Sequence, residues 1–387
     1  MTRTLVYGLA RSGEAAATAL ERQGDEVVRV DHENEDDLGL LLGVDLLVKS
    51  PGVPGERPLV VAARQRGIPV WSEVELGWRL LAPRPFVGVT GTNGKTTTSE
   101  LLGAIFRAAD RAVVVAGNVG TPLSSVDAPE DAWIVCELSS FQLEDVHELE
   151  CEVAVLLNLE PDHLDRHATF ERYRDAKLRI FERARHKIVP RALGLEGIEF
   201  SADDPLPAEP LMPGRHNREN AAAATAAARA AGIDDAPIAE ALRTFPGVPH
   251  RLELVREREG VRWVNDSKAT NTAAARRGVA AYDAPLRLIL GGRAKGEDFV
   301  PFAEELPQNV ASIYLVGEAS DELAAVLDAA GRSYTRAQTV ARAVDLAVAE
   351  ARPGDVVLLS PACASYDQYV DFEERGEDFR RLVTNLP

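Results

Sequence analysis

The chain has 387 residues, 45% of them hydrophobic and 27% charged, which is the composition of a globular protein long enough for two or three domains. Its formal net charge of −18 argues against nucleic acid or an anionic membrane surface as a partner, because long-range repulsion opposes both. No apolar run is long enough to span a bilayer, and three cysteines cannot form a disulfide framework. We therefore expect a cytoplasmic protein that binds neither nucleic acid nor membrane.

The first segment, residues 1–82, alternates strand-like runs with a helical run. The helix is EAAATALERQG, which ends in glycine, and the predicted strands are TLVYG, EVVRVD and DLLVKSPG. The turn GLARSG has Ala10 in place of the middle glycine of the G-x-G-x-x-G fingerprint, which argues against a redox dinucleotide. Asp31 ends the second strand, where its carboxylate could bind a ribose or uracil; a Rossmann-like domain with no ligand here is the alternative.

The second segment, residues 83–246, lies between two proline-rich joints, APRPF and FPGVPH, that suit domain boundaries. Its apolar runs predict a parallel sheet covered on both faces, with the strands FVGVTG, AWIVCE and VAVLLN. The polar stretch ADDPLPAEPLMPGRHN is predicted to be an excursion inside this segment. Because ligands of an open parallel sheet bind beyond the carboxyl ends of its strands, the residues that follow each run form the candidate site.

A glycine-rich loop, GVTGTNGKTT, joins the first of these strands to a helix. Such a loop presents backbone N–H groups to phosphate oxygens, and Lys95 would reach the β- and γ-phosphates while the Thr96 hydroxyl would coordinate Mg²⁺. The usual P-loop spacing requires glycine where Val89 stands, so this is a variant P-loop, and a simple turn is the alternative. No N-K-x-D guanine motif is present, which favours ATP over GTP.

Acidic residues and a histidine follow two further strands of this segment. Glu137 ends one strand, and Asp162, His163 and Asp165 share one turn after the other. Either aspartate could instead cap the helix that follows. Together with the P-loop, these residues favour metal coordination at the carboxyl edge of the sheet.

A lysine lies in an apolar stripe of the next helical run. Phe170, Tyr173, Lys177 and Ile180 are spaced by three, four and three residues, so they share one helical face, where an unpaired ammonium is costly to bury. Only six of the 43 basic residues are lysines, which suggests that lysine is kept for tasks that need a slim point charge or a titratable amine. An ammonium paired with an aspartate of the preceding turn, or with another acid, is the alternative.

The third segment, residues 247–387, contains four more strand-like runs, VRWVND, LRLILGG, SIYLVG and DVVLLSP. Cations and hydroxyls in the loops NDSKATN, LGGRAKGEDF and SPACASYDQY predict a site for an anionic co-substrate, and ordinary polar loops are the alternative. In the second segment, Asn217 and Asn220 open an alanine-rich helix. They either cap this helix or present their side-chain amides to a nucleobase.

Seven motifs resemble those of the Mur ligases, the ATP-dependent amino-acid ligases of peptidoglycan synthesis, and they follow one another along the chain in the family's order. TGTNGKTT, NLEPDHLDRH, GRHNRENA and PHR are similar to family-wide motifs, and ELSSFQL, NDSKATN and LSPACASYDQY to those of the branch that uses D-glutamate. The resemblance covers nearly the whole chain. It implies an α/β fold of three domains: a Rossmann-like N-terminal domain (1–82), a central P-loop ATPase-type domain (83–246) and a Rossmann-like C-terminal domain (247–387). A monomer is expected.

The resemblance also implies a reaction. The alanyl carboxylate of UDP-N-acetylmuramoyl-L-alanine attacks the γ-phosphate of ATP, and the amine of D-glutamate then attacks the acyl phosphate and displaces phosphate. ATP and Mg²⁺ are the implied cofactors. In the family the lysine at the place of Lys177 is carbamylated, which suits a partly desolvated amine because its neutral form can add CO₂. The rival interpretations are a P-loop ATPase or phosphotransferase that forms no amide bond, and a nucleotide-regulated binding protein.

The matching motifs imply the site residues. The catalytic residues would be Lys95, His163 and Lys177. The metal ligands would be Thr96, Glu137, His163 and Lys177. The nucleotide would be bound by Gly91, Thr92, Asn93, Gly94, Lys95, Thr96, Thr97, Asn220, Arg251 and Asp266. Uridine diphosphate would be bound by Gly8, Arg11, Ser12, Gly13 and Asp31, and the muramoyl group by Asn118 and Ser139. D-Glutamate would be bound by Lys268, Thr270, Lys295, Ser365 and Phe372.

Overall fold

A computed structural model describes residues 2–386, apart from the side chain of Asp165. The chain forms two compact units. The first comprises Met1–Pro210 and His216–Phe245, and the second comprises Leu211–Arg215 and Pro246–Pro387. The stretch predicted to be an excursion inside the middle segment therefore contributes five residues, Leu211–Arg215, to the second unit.

The first unit contains a four-stranded parallel sheet with the strand order β2-β1-β3-β4. Its strands are β1 (Arg3–Tyr7), β2 (Glu26–Val30), β3 (Leu46–Lys49) and β4 (Val70–Ser72). Its helices are α1 (Arg11–Arg22), α2 (Pro58–Gln65) and α3 (Glu73–Leu81). The three predicted strands are confirmed, whereas β4 has only three residues and gave too short an apolar run to be predicted.

The same unit contains a six-stranded parallel sheet with the order β10-β9-β8-β5-β7-β6. Its strands are β5 (Phe86–Thr90), β6 (Val113–Gly117), β7 (Trp133–Glu137), β8 (Cys151–Leu156), β9 (Ala184–Pro190) and β10 (Ile198–Phe200). Its helices are α4 (Lys95–Ala108), α5 (Ser140–Leu143), α6 (Leu164–His167), α7 (Phe170–Leu178), α8 (Arg215–Ala230) and α9 (Asp235–Thr244). The central strand β5 is buried at every residue, as expected for a strand covered on both faces.

The second unit is built on a six-stranded sheet with the order β11-β12-β16-β13-β14-β15, in which only β11 runs antiparallel. Its strands are β11 (Glu253–Arg258), β12 (Val261–Asn265), β13 (Leu286–Gly291), β14 (Val310–Val316), β15 (Thr335–Gln338) and β16 (Val356–Leu359). Its helices are α10 (Thr272–Ala280), α11 (Val300–Glu304), α12 (Ser320–Ala329), α13 (Val340–Glu350) and α14 (Phe372–Thr384). The four predicted strands of this segment are β12, β13, β14 and β16.

Two buried carboxylates of α3 hold the four-stranded sheet against the larger sheet within the first unit. Glu75 accepts hydrogen bonds from the backbone N–H groups of residues 147–149 at 3.0–3.2 Å and from Arg79 at 2.9 Å. Glu73 accepts from the backbone N–H and the hydroxyl of Ser124 at 2.7 and 2.6 Å. Because such bonds fix the carboxylates, α3 keeps a defined position against the segments that precede β7 and β8.

The prediction of an α/β chain with parallel sheets is thus confirmed. All three cysteines are buried and unpaired. Within residues 2–386, no helix is both long enough and apolar enough to cross a membrane.

Candidate active site

Two glycines shape the loop between β5 and α4. Gly91 and Gly94 have φ angles of 153° and 83°, a region that favours glycine. The ammonium of Lys95 folds back over the loop and donates to the carbonyl oxygens of Gly91 and Thr92 at 3.0 and 3.1 Å. A side chain at position 94 would overlap the amide oxygen of Asn220, so α8 packs directly on the loop. The glycine-rich loop is therefore a tight turn that leads from β5 into the N-terminus of α4, as predicted.

We expect Gly94→Ala to raise the KM for ATP about tenfold, because the new methyl group overlaps Asn220 and forces the loop to shift, at a cost of roughly 1–2 kcal/mol. Gly24→Ala is the matched control. Gly24 has a similar φ of 85°, but nothing lies within 4 Å of a Cβ built there. Both variants should lose thermal stability, and only Gly94→Ala should weaken nucleotide binding; equal KM values in the two would contradict the prediction.

The segment after β8 is bonded to the P-loop, and one of its side chains, Asn158, was not singled out by sequence analysis. The side-chain oxygen of Asn158 accepts a hydrogen bond from the backbone N–H of Asn93 at 2.8 Å, and its side-chain amide donates to the carbonyl of Asn93 at 3.2 Å. The hydroxyl of Thr92 lies 2.9 Å from that of Tyr173 and accepts from the N–H of Glu160 at 3.0 Å. The first residue of the motif NLEPDHLDRH therefore fixes the P-loop, a role that its position directly after a strand could have indicated.

Lys177 is buried beside this loop, as its position in the apolar stripe predicted. Only 2% of its surface is exposed, and its amine donates to the carbonyl of Gly91 at 2.8 Å and lies 4.8 Å from the centre of the Tyr173 ring. Burial, and then the charge of Lys95, lower the pKa of Lys177 to about 6. Among the described side chains no carboxylate forms an ion pair with it, so the alternative of an ammonium paired with Asp162 is wrong. The side chain of Asp165, the other aspartate of that turn, lies outside the described residues.

Glu137 ends β7 at the same edge of the sheet, and its carboxylate accepts from the side-chain amide of Asn118 at 3.0 Å. The negative charge of Glu137 acts on Lys177 by raising the pKa of the amine. Thr96 stands at the second position of α4. Within residues 2–386, Asp165 aside, no three His, Cys, Asp or Glu side chains are grouped to hold a metal ion. Mg²⁺ commonly uses one or two protein oxygens together with phosphate oxygens, and Thr96 and Glu137 offer oxygens of this kind.

His163 lies at the N-cap position of α6 with a φ of 50°. Its ring is exposed and stands 4.9 Å from that of Phe141, and its backbone N–H donates to Asp162 at 2.9 Å. Asp162 therefore stabilises the turn without being the N-cap. Ser139 is the N-cap of α5 and exchanges hydrogen bonds with Gln142, so its hydroxyl already has a local structural task.

The predicted diphosphate-binding residues meet at the carboxyl edge of the four-stranded sheet. Gly8 has a φ of 87° and donates its N–H to the carbonyl of Val30, next to Asp31. A side chain at Gly13 would overlap the carbonyl of Gly8, so α1 starts in close contact with the turn. Arg11 is exposed and donates to the carbonyl of Gly120, in the loop that also carries Asn118, at 3.3 Å. Ser12 and Asp31 are half-buried at this edge.

Lys49 has a structural task that sequence analysis missed. It ends β3, is 1% exposed, and forms ion pairs with Asp145 at 3.2 Å and Glu144 at 3.6 Å. Glu144 also pairs with Arg166 at 3.3 Å, and Arg166 donates to the carbonyl of Val53 at 2.9 Å. These partners come from distant parts of the sequence, so no local sequence pattern predicted the ion pairs. The cluster joins the edge of the four-stranded sheet to the helix that follows His163.

In the second unit, Asp266 is buried directly after β12. Its carboxylate accepts from the hydroxyl of Ser360 at 2.7 Å and from the N–H of Leu252 at 3.3 Å. Burial raises the pKa of Asp266 to about 7, although these bonds and the nearby charge of Arg251 oppose the shift. The structure thus brings two of the predicted nucleotide-binding residues, Arg251 and Asp266, close together.

The raised pKa of Asp266 makes stability depend on pH. Since the folded state holds the proton up to about pH 7 and the unfolded state releases it near pH 4, stability is greatest below the unfolded value and falls as the pH rises through this interval. Asp266→Asn is neutral throughout, so its unfolding free energy relative to the parent should increase by roughly 2–3 kcal/mol between pH 5 and pH 7. Urea unfolding at both pH values checks this, with the exposed Asp283→Asn as control; equal pH dependence in parent and Asp266→Asn would contradict it.

The predicted amino-acid-binding residues lie in loops at the carboxyl edge of the second unit's sheet. The ammonium of Lys268, in the loop after β12, stands 5.6 Å from the centre of the ring of Phe372, the first residue of α14. Ser365 is buried after β16, and Thr270 is half-buried. Lys295 is exposed in the loop after β13. These loops present ammonium and hydroxyl groups, the donors that an anionic amino acid requires.

Two family profiles match the chain. The Mur ligase middle domain matches residues 89–192, and the domain described as "Mur ligase, glutamate ligase domain" matches residues 250–363. Among solved structures, UDP-N-acetylmuramate–alanine ligase from Thermotoga maritima has a TM-score of 0.65 at 18% identity over 99% of both chains. MurF ligase of the same organism, in complex with ADP, has a TM-score of 0.61 at 19% identity over 91% of this chain and 92% of that one. At such identities the likeness shows a shared fold.

The curated relatives are closer in sequence. UDP-N-acetylmuramoylalanine–D-glutamate ligase of Desulfitobacterium hafniense is 41% identical, over 98% of this chain and 97% of the relative. The enzyme of the same name from Gloeobacter violaceus is 39% identical over 100% of both chains. Similarity of this extent spans both units. The chain belongs to the Mur ligase family, in the group of the UDP-N-acetylmuramoylalanine–D-glutamate ligases.

Proposed function

We propose that the chain joins D-glutamate to UDP-N-acetylmuramoyl-L-alanine with ATP as the energy source, through an acyl phosphate. The observation that carries this proposal is the buried amine of Lys177 held 2.8 Å from the carbonyl of Gly91 in the P-loop, in a chain about 40% identical to ligases of this name. A simple ATPase has no evident need for a desolvated lysine beside its phosphate loop. A ligase must hold two anions, the carboxylate and the γ-phosphate, together with the cations that neutralise them.

The residues of the first unit would prepare the phosphoryl transfer. Gly91, Thr92, Asn93, Gly94, Lys95, Thr96 and Thr97 would bind the phosphates of ATP, with the ammonium of Lys95 as the positive charge. Asn118 and Ser139 would orient the muramoyl substrate. Thr96, Glu137 and His163, with Lys177 as its carbamate, would hold Mg²⁺. When bound, Mg²⁺ neutralises charge on the transferred phosphoryl group and on ADP. The carbamate forms when the neutral amine adds CO₂ and releases a proton.

The remaining residues would bind the other ligands. Asn220, Arg251 and Asp266 would bind the nucleoside of ATP; Gly8, Arg11, Ser12, Gly13 and Asp31 would bind uridine diphosphate; and Lys268, Thr270, Lys295, Ser365 and Phe372 would bind D-glutamate. The support is geometric. The uridine diphosphate residues lie at the carboxyl edge of the four-stranded sheet, and the D-glutamate residues lie at that of the second unit's sheet, where ligands of open parallel sheets bind.

The proposal extends to organisation and location. We assign residues 1–82 to a substrate-binding domain, residues 83–246 to an ATP-binding domain and residues 247–387 to an amino-acid-binding domain, in a cytoplasmic monomer of peptidoglycan precursor synthesis. Three separate sheets, with strands confined to residues 3–72, 86–200 and 253–359, support this division. Limited proteolysis and sedimentation would test the boundaries and the monomer.

The test is phosphate release with each substrate omitted in turn, together with mass spectrometry of the products. Sustained release should require ATP, UDP-N-acetylmuramoyl-L-alanine and D-glutamate together, and the product should exceed the UDP substrate by one glutamyl residue. Replacing D-glutamate by L-glutamate should remove turnover. Phosphate release from ATP that is equally fast without the amino acid would favour an ATPase or phosphotransferase and overturn the proposal.

A further inference from the structure

Arg375 is a buried arginine of α14 that forms no ion pair with any described side chain, although the charge of Asp367 acts on it. It is 1% exposed, and within residues 2–386, Asp165 aside, it forms no ion pair. Burial lowers the pKa of Arg375 to about 10, so its guanidinium keeps its charge at neutral pH. Buried charges are normally paired, because an isolated one is costly to desolvate. The surrounding sequence, FEERG, is instead typical of a charged helix surface exposed to solvent.

The guanidinium is instead bound by groups that adjoin the predicted D-glutamate residues. Its Nε donates to the hydroxyl of Ser267 at 2.9 Å, and its Nη2 donates to the carbonyls of Ser267 and Cys363 at 2.9 and 3.1 Å. Its Nη1 donates to the carbonyl of Ala364 at 3.3 Å. Ser267 directly precedes Lys268, Ala364 directly precedes Ser365, and Arg375 itself lies one turn after Phe372.

The network extends to the other two loops of this edge. The hydroxyl of Ser267 donates to the carbonyl of Phe372 at 2.8 Å, so one hydroxyl links the first turn of α14 to Arg375. Arg293, two residues before Lys295, exchanges backbone hydrogen bonds with Ala364 at 2.9 and 3.0 Å. A single planar group thus fixes the relative positions of the loops after β12 and β16, and through Ala364 the loop after β13.

Electrostatics point in the same direction. The acceptors of Arg375 are neutral dipoles, which satisfy its hydrogen bonds without cancelling its charge. A buried positive charge acts over a longer distance than a solvated one, since the surrounding protein screens it less. The edge of the sheet that carries Lys268 and Lys295 therefore has a third cation beneath it.

We infer that Arg375 is the positioning residue of the dicarboxylate site: it sets the spacing of the loops that carry Lys268, Ser365 and Phe372, and its charge favours an acidic amino acid. This inference rests on the proposed function, because the ligand of these loops is assigned there. Arg375 does not need to touch the amino acid. Its effect is expected in the binding of D-glutamate and hardly at all in the binding of ATP.

The test is steady-state kinetics of Arg375→Met and Arg375→Lys with all three substrates. We expect the KM for D-glutamate to rise about 100-fold in Arg375→Met and about tenfold in Arg375→Lys, which keeps the charge but loses the planar fork. The KM values for ATP and for UDP-N-acetylmuramoyl-L-alanine should stay within about twofold of the parent. Inhibition by a free dicarboxylate such as glutarate should weaken in the same order.

Arg287→Met is the control for the loss of a buried arginine. Arg287 lies in β13 of the same unit and pairs with Asp355 at 2.7 Å, away from the loops named above. The Arg287→Met variant should have a lower thermal unfolding temperature than the parent and an unchanged KM for D-glutamate. If Arg375→Met does not fold, Ser267→Ala, which removes the hydroxyl between Arg375 and Phe372, should still raise that KM about fivefold.

The outcomes separate the two proposals. A parent protein that shows no D-glutamate-dependent phosphate release overturns the proposed function. A parent that shows it, with Arg375→Met and Ser267→Ala unchanged in the KM for D-glutamate, overturns the role of Arg375 alone. Equal increases in the KM values of all three substrates would also overturn it, because they would indicate general disorder of the fold.

Discussion

Lys177→Ala is expected to lower kcat about 10³-fold, and a short carboxylate such as acetate is expected to restore part of the lost rate. The amine is buried, bonded to the P-loop at Gly91 and lowered in pKa to about 6, so at neutral pH it is mostly the neutral amine that adds CO₂. Removal of the resulting carbamate would withdraw one anion from the cations at the phosphates, a loss comparable to deleting a preorganised electrostatic group. The measurement is kcat with and without added acetate.

The design distinguishes an anion from a cation at this position. If Lys177 acts as an ammonium, methylamine should restore activity to Lys177→Ala and acetate should not. Lys177→Glu should then be the least active variant, whereas the carbamate interpretation expects it to exceed Lys177→Ala. Lys187→Ala, a change at a half-buried lysine in β9, controls for the loss of a lysine. Full activity of untreated Lys177→Ala would contradict both interpretations.

Sequence reasoning succeeded where the signal is local. The long apolar runs became the central strands, and the glycines of GVTGTNGKTT became a loop with positive φ angles, because both depend on neighbouring residues. The burial of Lys177 was also predicted correctly, since helical spacing places it on the face of Tyr173 and Ile180. Short strands such as β4 and β10 were missed because three residues carry too little periodicity.

Residues whose task depends on distant partners were not predictable in this way. The burial of Lys49 is explained by its ion pairs with Glu144 and Asp145, which lie about 95 positions later in the chain. Arg375 lies among glutamates in the sequence and yet binds backbone carbonyls of two loops. Asn158 was quoted within a motif without a task and proved to hold the P-loop. Long-range ion pairs and hydrogen bonds to backbone carbonyls produce no periodic pattern in the sequence.

Lys95→Met is expected to lower kcat/KM for ATP about 10³-fold, because it removes the positive charge that the P-loop directs at the transferred phosphoryl group. Lys187→Met should leave this ratio unchanged. A second consequence is specific to this structure: the charge of Lys95 lowers the pKa of Lys177, so its removal raises that pKa and leaves less neutral amine to add CO₂.

The two lysines should therefore not act independently. In a double-mutant cycle, Lys95→Met should cost less in a Lys177→Ala background than in the parent, since part of its effect passes through the amine of Lys177. Raised bicarbonate should restore some activity to Lys95→Met and none to the double variant, because only the former still has an amine to modify. Additive losses, and no response of Lys95→Met to bicarbonate, would show that the two residues work separately and that the contact of both amines with Gly91 is only structural.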